Sequence, residues 1–580
     1  MSNASSNRIQ YDVVLVGGSP SNLALAHKLV QLAKASGQSF TMAILEKSKE
    51  FGAHCISGAV SKPHVIEKLF PDYRETDFPI EAVCSESQFS ILGQQKKWDA
   101  PAFALPPGLK KEGYLVLTLS HVVYWMVNRL KEAVKDTPEI TIDFFPGFAA
   151  HEVLFEGNTV AGVRVVEDSG HPDEDNVYAK VTCFGDKGFI SRDVIDRFQL
   201  RDNPQIWSVG VKEVWQLPEG KDLAGKVWHT MGFPLVDGSF GGGFVYGMKD
   251  NKLTIGMVIS LDSPNPNINP QQRLQDYKKH PWLQELLHDA KLIKYGAALL
   301  PEGGYYSLPK AFQVDGAILL GDALGALDIA TLSGIDKAME TGIQAAEVIH
   351  NALKTGDFTK SGLGGYQTAV LDSHVGKSLK EGRYFRLAFQ ENPRLLNSYL
   401  PKVMDGVDNG APLMGFINVG LSGNPFLAIQ DALRLKTLLE GKTDVGPVTY
   451  KPDYQHIEPG FQSQRHVSVK QFDKDTYYTR ADAVFYAYTH YHEENQHIDE
   501  FRADVCVQCI GKYDAFGKEV PCVSDCTAEV HRVDVVDDLR KHGMSLENCV
   551  QCRTCEFVCP EVNLRVNAAA QGSGPDFMGL

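Results

Sequence analysis

Cationic side chains are in short supply in this chain of 580 residues: 57 lysines and arginines face 72 aspartates and glutamates, a formal net charge of −15. No basic stripe offsets that balance. Nucleic-acid binding is therefore excluded, because neutralising phosphates takes clustered Lys and Arg. Long hydrophobic runs are missing too. No stretch reaches the roughly 18 apolar residues that a helix needs to cross a bilayer. The opening MSNASSNRIQYD has neither the apolar core of a secretion signal nor the Arg-rich pattern of a transit peptide, so neither is expected. Cysteine is almost absent from most of the chain: of eleven, only Cys55, Cys84 and Cys183 precede residue 506. A disulfide scaffold does not suit a large chain without a secretion signal. Clustered C-x2-C spacing points instead to metal or iron–sulfur ligation. The remaining composition, 43% apolar and 22% charged, is that of an ordinary soluble protein, long enough for several domains.

What is there begins with two cysteine runs. Cys549-Val-Gln-Cys552-Arg-Thr-Cys555-Glu-Phe-Val-Cys559-Pro560 is C-x2-C-x2-C-x3-C-P. This run wraps a [4Fe–4S] cluster in bacterial ferredoxins, and its fourth cysteine reaches a second cluster. Upstream, Cys506-Val-Gln-Cys509 is followed after twelve residues by Cys522-Val-Ser-Asp-Cys526. Both runs open C-V-Q-C and close C-x3-C. The crossing rule predicts one cluster on Cys526, Cys549, Cys552 and Cys555 and a second on Cys506, Cys509, Cys522 and Cys559. A structural zinc is the competing occupant of the second quartet. The Tyr- and His-rich stretch from Tyr477 to Glu500 has irregular spacing and reads as polar surface.

The N-terminal stretch predicts a dinucleotide site. Tyr11–Val16 is a buried strand, Gly17-Gly18-Ser19-Pro20-Ser21-Asn22 a turn, Leu23–Ala33 a helix, and Phe40–Glu46 a second strand ending in an acid. The helix start would hold a pyrophosphate and Glu46 the ribose hydroxyls. In the glycine fingerprint, Ser19 and Asn22 replace the second and third glycines. A purely structural βαβ unit is the alternative. Gly316–Asp322 is an apolar strand ending in Gly321-Asp322, followed by a helix from about Ile335, after Gly334. An aspartate there suits a ribityl chain, and the helix start suits the flavin's anionic edge. This favours FAD over NAD.

Several segments carry a resemblance: Gly52-Ala-His54-Cys55-Ile56-Ser57-Gly58, Glu67–Tyr73, Val209–Trp215, Phe240–Tyr246, Tyr295-Gly296-Ala297, Glu302–Pro309, the cysteine run at 549 and the tail Gly572–Leu580. In order and over nearly the whole chain, the sequence resembles the electron-transfer flavoprotein:ubiquinone oxidoreductase family. The resemblance implies an α+β protein. A Rossmann-like FAD domain of glutathione-reductase type (1–70, 114–200 and 310–400) interleaves with a β-sheet quinone or substrate domain (71–113 and 201–309). An apolar membrane-surface segment (401–440) and a ferredoxin-like domain (441–580) follow. It implies FAD contacts from Lys47 and His54–Gly58 beside those above, and quinone lining from Gly241, Gly242, Gly243, Tyr295 and Gly296. It further implies electron-transfer flavoprotein and quinone as partners, a monomer or a component of an electron-transfer complex, and peripheral attachment to the cytoplasmic side of a bacterial inner membrane. The family has only the cluster matching Cys526, Cys549, Cys552 and Cys555, so the other quartet is an addition. It carries an arginine where Thr118 stands here.

Residues 411–429 are apolar and nearly free of charge, but Asn418, Asn424 and Pro425 break any span. A surface-dipping segment, with Phe416 and Phe426 at the headgroup boundary, is expected. Two other readings fit the sequence. One is a soluble ferredoxin-linked flavin reductase or dehydrogenase acting on a hydrophobic substrate. The other is a non-catalytic electron-transfer subunit with a decayed FAD site.

Overall fold

The computed structural model describes residues 9–58, 60–105, 107–165, 175–421, 425–439, 447–463, 465–469, 472–492, 496–536 and 538–580. Asn424, one of the expected helix breakers, lies outside them.

Val13–Val16 are at most 4% exposed, as the central strand of a sheet covered on both faces must be. This strand, Ile9–Val16, lies between Asn176–Phe184 and Phe40–Glu46, parallel to both. Beyond them pair Ala317–Leu319 and Ile140–Pro146, again parallel. All these strands end at one edge, where Gly17, Gly185 and Gly321 follow. Ligands of open parallel sheets bind at that edge. Helix Pro20–Ser36 starts there, capped by the Ser19 hydroxyl, and packs on helix Ile335–Thr355. The two helices meet at Gly342, where a Cβ would lie 1.9 Å from the Ser21 carbonyl oxygen.

The second sheet runs in the order Lys291–Pro301, Trp207–Gln216, Lys252–Ser260, Gly241–Met248, Lys226–Gly232, Glu86–Leu92 and Lys97–Asp99. Its strands come from segments on either side of 115–184, so the chain enters this sheet twice. Helix Pro270–Lys278 covers one face and buries an ion pair: Lys278 Nζ lies 2.8 Å from Glu213 Oε2, both side chains at most 1% exposed. Glu213 also accepts hydrogen bonds from Trp215 and Gln275. Glu213→Ala leaves the Lys278 ammonium buried and unpaired. It is expected to lower stability by about 3–5 kcal/mol in denaturant unfolding, with much of the loss recovered in Glu213→Leu/Lys278→Met.

The described residues between 447 and 580 form short pieces. Ile498–Glu500 pairs with Leu564–Val566, and His531–Val536 with Leu539–Met544. Helix Pro412–Leu421 packs on helix Leu400–Asp408 and reaches the edge of the second sheet, where the Phe416 ring meets Trp98 at 5.8 Å, and helix Pro425–Leu439 packs beside it. Among the described residues no single helix is long and apolar enough to cross a membrane.

The tail turns back into the body. Phe577 and Leu580 are at most 2% exposed and pack over Gly296. The Phe577 amide donates to the Ala53 carbonyl (2.6 Å), and the Gly579 amide to the Ser120 hydroxyl (3.1 Å).

Candidate functional site

Between the parallel strand ends and the second sheet lies a cavity of about 480 Å³. Its first wall is the start of the 20–36 helix (Ser19, Pro20, Ser21), His54–Gly58, Gly185, Lys187, Asp322 and the start of the 335–355 helix (Ser333–Asp336). Its second wall is Gly210–Lys212, His229–Met231, Phe240–Phe244, Ala298–Leu300 and Glu302. Phe385 and Phe389 complete the lining from helix Phe385–Glu391, which packs on helix Pro425–Leu439.

Of the residues expected to hold FAD, Ser19, Pro20, Ser21, His54–Gly58, Asp322 and Gly334 therefore face one space. Gly17, Gly18, Asn22, Glu46, Lys47 and Gly321 do not line it. Asn22 is fully buried, and its side-chain amide donates to the carbonyls of Val16 (2.9 Å) and Gly17 (2.8 Å). It pins the turn from beneath. The close approach that a third glycine would supply is found at Gly185, where a Cβ would meet Ser19 Oγ at 2.5 Å. Glu46 accepts from the Gly18 amide through Oε2 and from the Ser48 amide and hydroxyl through Oε1, each at 2.8 Å. A carboxylate has about four lone-pair sites, so Oε2 keeps one for a ribose hydroxyl. Phe51 packs on Gly18. Thr118 is buried and donates to Glu81 (2.9 Å), away from the cavity.

These groups fit the pyrophosphate, ribityl chain and ring of a flavin dinucleotide. A helix start with two hydroxyls would serve the phosphates and the half-buried Asp322 the ribityl hydroxyls. The 21-residue helix Ile335–Thr355 starts at the cavity, where its N-terminus would face the ring. Burial, followed by the nearby Lys187 and Asp186, leaves the Asp322 carboxyl above its ordinary range.

Gly241, Gly242 and Gly243 line the same cavity, but Tyr295 and Gly296, expected beside them as quinone lining, do not. Tyr295 is fully buried and donates its hydroxyl to the Thr527 carbonyl (2.7 Å). Gly296 is packed under Phe577 and Leu580. The strand reaches the cavity only at Ala298–Leu300, after the tail has covered its earlier residues.

Three titratable residues of the second wall emerge only from the fold. Burial brings the Lys212 ammonium down to about 7, with Glu81 opposing, and its Nζ donates to the Ser57 carbonyl (2.8 Å). Burial pushes Glu302 up to about 7 against the pull of Arg386 and the Ser208 hydroxyl bonded to it. His229 is held down to about 3, mainly by burial, and shares a 2.8 Å hydrogen bond with Tyr246. Lys212 and His229 sit in strands and Glu302 directly after one, and their apolar neighbours make them look like core packing in the sequence.

The cysteines converge in two sets. Burial, then Cys552, Cys526 and Cys549, pushes the Cys555 thiol well up. Burial, then Cys559, Cys509 and Cys506, does the same to Cys522. Cys506 and Cys509 are raised to about 12. Cys506, Cys509, Cys522 and Cys559 surround a cavity of about 20 Å³ that His542 also lines. Grouped thiols that are buried or partly buried and disfavour one another's ionisation need a cation to become ligands, which is the chemistry of a metal or cluster site. Backbone amides point at three of the sulfurs: Val530 at Cys526 (3.2 Å), Gln551 at Cys549 (3.3 Å) and Asn563 at Cys559 (3.2 Å). His531, His542 and Glu500 beside the second quartet were not marked by any spacing rule. In the Tyr- and His-rich stretch, His497 stacks on Tyr491 (4.8 Å).

A polar bridge joins the cavity to the first quartet. Lys47 Nζ contacts His54 Nδ1 on one side and donates to Gln551 Oε1 (2.6 Å) on the other. Gln551 lies between Cys549 and Cys552.

A dinucleotide-type cradle sharing one cavity with a second sheet, and thiol quartets beside it, define an oxidoreductase of the flavoprotein class. Residues 207–300 match the family model described as ETF-QO, ubiquinone-binding. The chain is 29% identical to the electron transfer flavoprotein-ubiquinone oxidoreductase of Pseudomonas aeruginosa, over 99% of both chains. It is 28% identical to the mitochondrial protein of that name from Oryza sativa, over 98% of this chain and 93% of the other. A geranylgeranyl bacteriochlorophyll reductase-like protein from Thermoplasma acidophilum shares the fold (TM-score 0.53, 16% identity, 73% of this chain and 99% of that one). Over nearly its whole length, the chain is thus similar to electron transfer flavoprotein-ubiquinone oxidoreductases.

Proposed function

We propose that this protein takes electrons from reduced electron-transfer flavoprotein and delivers them to a membrane quinone, using FAD and two [4Fe–4S] clusters held by the cysteine quartets of a ferredoxin-like domain. The carrying observation is the cavity, whose one wall suits a flavin and whose other wall belongs to the segment matching the ubiquinone-binding model. Bound FAD supplies one- and two-electron steps and each cluster a one-electron step. Within this reading, the interleaved domains meet at the cavity and residues 441–580 hold the clusters.

The chain's own residues would do the following. Ser19, Ser21 and Asp322 anchor the dinucleotide. Lys47, His54 and Gln551 fix the distance between the cavity and the first quartet. Quinone reduction takes up two protons, and Lys212 and Glu302, both brought to about 7, can hold and release them at neutral pH. Phe240, Phe385 and Phe389 form an aromatic mouth, with ring centroids 4.8–6.3 Å apart. They exclude water and favour an apolar ring. Reduced electron-transfer flavoprotein and a short-chain quinone test the reading. Steady quinone reduction with flavin absorbance is expected; protein lacking either overturns it.

The 412–439 helices fit peripheral membrane attachment. Leu413, Leu421, Phe426 and Leu433 are 60–81% exposed on two adjacent helices, an arrangement suited to the headgroup boundary. Leu413→Glu/Leu421→Glu is expected to weaken flotation with phospholipid vesicles at least tenfold while leaving reduction of a water-soluble quinone unchanged. Equal flotation would rule out this surface.

A further inference from the structure

Away from the cysteines, a third group of metal-ligating side chains gathers where three helices begin. His64 opens helix His64–Leu69, His374 opens helix His374–Glu381, and Asp336 lies in the first turn of the 335–355 helix. One ligand atom from each lies within 4.8 Å of the others. The imidazole rings meet edge to face at 4.5 Å. His374 Nε2 is 3.7 Å from Asp336 Oδ2, too far for a hydrogen bond. His64 Nδ1 and His374 Nε2 are both buried atoms with no hydrogen-bond partner among the described residues. Two unsatisfied imidazole nitrogens thus converge on a carboxylate oxygen, Asp336 Oδ2, whose other neighbour is the Lys337 ammonium at 3.8 Å.

Buried polar atoms left in this way signal a missing ion or water. Ligands of one tetrahedral zinc at 2.0–2.1 Å stand about 3.3 Å apart, so a spacing within 4.8 Å closes on a metal with a shift of about 0.9 Å or less at each atom. The protonation states agree. Burial, then His374, keeps His64 below its ordinary value, so a lone pair is available. Burial raises Asp336, but His374, Lys337 and Ser333 outweigh it and hold the carboxyl well below the usual range. The second carboxylate oxygen is fixed by the Ser333 hydroxyl. Glu340 nearby is already paired with Lys68 (2.9 Å) and Gln344 (2.6 Å).

We propose that His64, His374 and Asp336 bind one divalent first-row transition-metal ion, with zinc the best match to two imidazoles and one carboxylate. The ion clamps the 64–69 and 374–381 helices to the start of the 335–355 helix, whose Asp336 lines the large cavity. Two imidazoles and one carboxylate leave at least one coordination position open, so water completes the site. The site is separate from the cysteine quartets and independent of whether the second quartet holds iron or zinc.

The test uses the full-length holoprotein, washed with a mild chelator and titrated with ZnCl2 by calorimetry, with iron and flavin measured in parallel. One zinc is expected to bind at micromolar or tighter dissociation constant. His374→Gln and His64→Gln are each expected to weaken it at least 100-fold while iron and flavin per chain stay constant. His374 is one-third exposed, so its replacement leaves the fold intact, and the unchanged iron content confirms this. Zinc that binds the variants as tightly as the parent, or no zinc binding at all, overturns the proposal.

Discussion

Cys555→Ser is expected to abolish electron delivery to quinone and to cut iron from about eight to about four per chain. Cys555 is 7% exposed, in the quartet that the Lys47–Gln551 bridge ties to the cavity. A serine hydroxyl cannot take up the thiolate's role at an iron without a large loss of affinity. The companion Cys559→Ser removes the second quartet instead. Its iron should fall by the same amount, with the first set retained. Comparing the two by iron analysis, electron paramagnetic resonance and quinone turnover separates a serial relay from a side port. A relay loses turnover in both variants, and a side port loses it only in Cys555→Ser. If Cys555→Ser keeps full iron and full turnover, the first quartet is not a redox centre.

Glu302→Gln is expected to change both stability and rate. Glu302 is 2% exposed, and its folded-state pKa is raised from 4.5 to about 7. An acid with a raised folded pKa contributes stability that is fully present below pH 4.5 and is lost as pH rises through 7. A shift of that size corresponds to about 3 kcal/mol. Wild-type protein should therefore lose about 3 kcal/mol between pH 4 and pH 8 from this group alone. Glutamine, which keeps a partner for Ser208, should lose none of it. If Glu302 also holds a proton for the quinone, turnover at pH 7 should fall by about 100-fold, within the range of general acid–base catalysis. Unfolding curves and turnover measured across pH read the two effects separately. An unchanged pH dependence of stability would show that Glu302 is ionised in the folded protein.

Local signals carried much of the architecture. The strand expected at 11–16 runs Ile9–Val16, the one at 40–46 has those same limits, and the helix after Gly334 starts at Ile335. Apolar runs bounded by glycine leave few other options. Cysteine grouping was legible for a similar reason, since ligand spacing is a property of a short loop. What the sequence could not reveal depends on long-range packing. Asn22 breaks the glycine fingerprint, yet Gly185 and Gly342, more than 160 residues away, restore the close contact. Tyr295 and Gly296 sit in a strand beside the quinone-model glycines, but a tail nearly 300 residues later covers them. Lys212 and Glu302 acquire shifted proton affinities only once two sheets enclose them. His64, Asp336 and His374 are far apart in the chain and meet only because three helices begin at one place.

The inward turn of residues 572–580 bears on the order of assembly. They hold the Gly52–Cys55 segment through Ala53 and seal Gly296. In the order of synthesis they come after both cysteine runs. The wall of the flavin cradle is therefore incomplete until the cysteine-bearing domain has been made and folded against it. A chain cut before residue 572 should therefore fold with an open cradle and hold its flavin weakly.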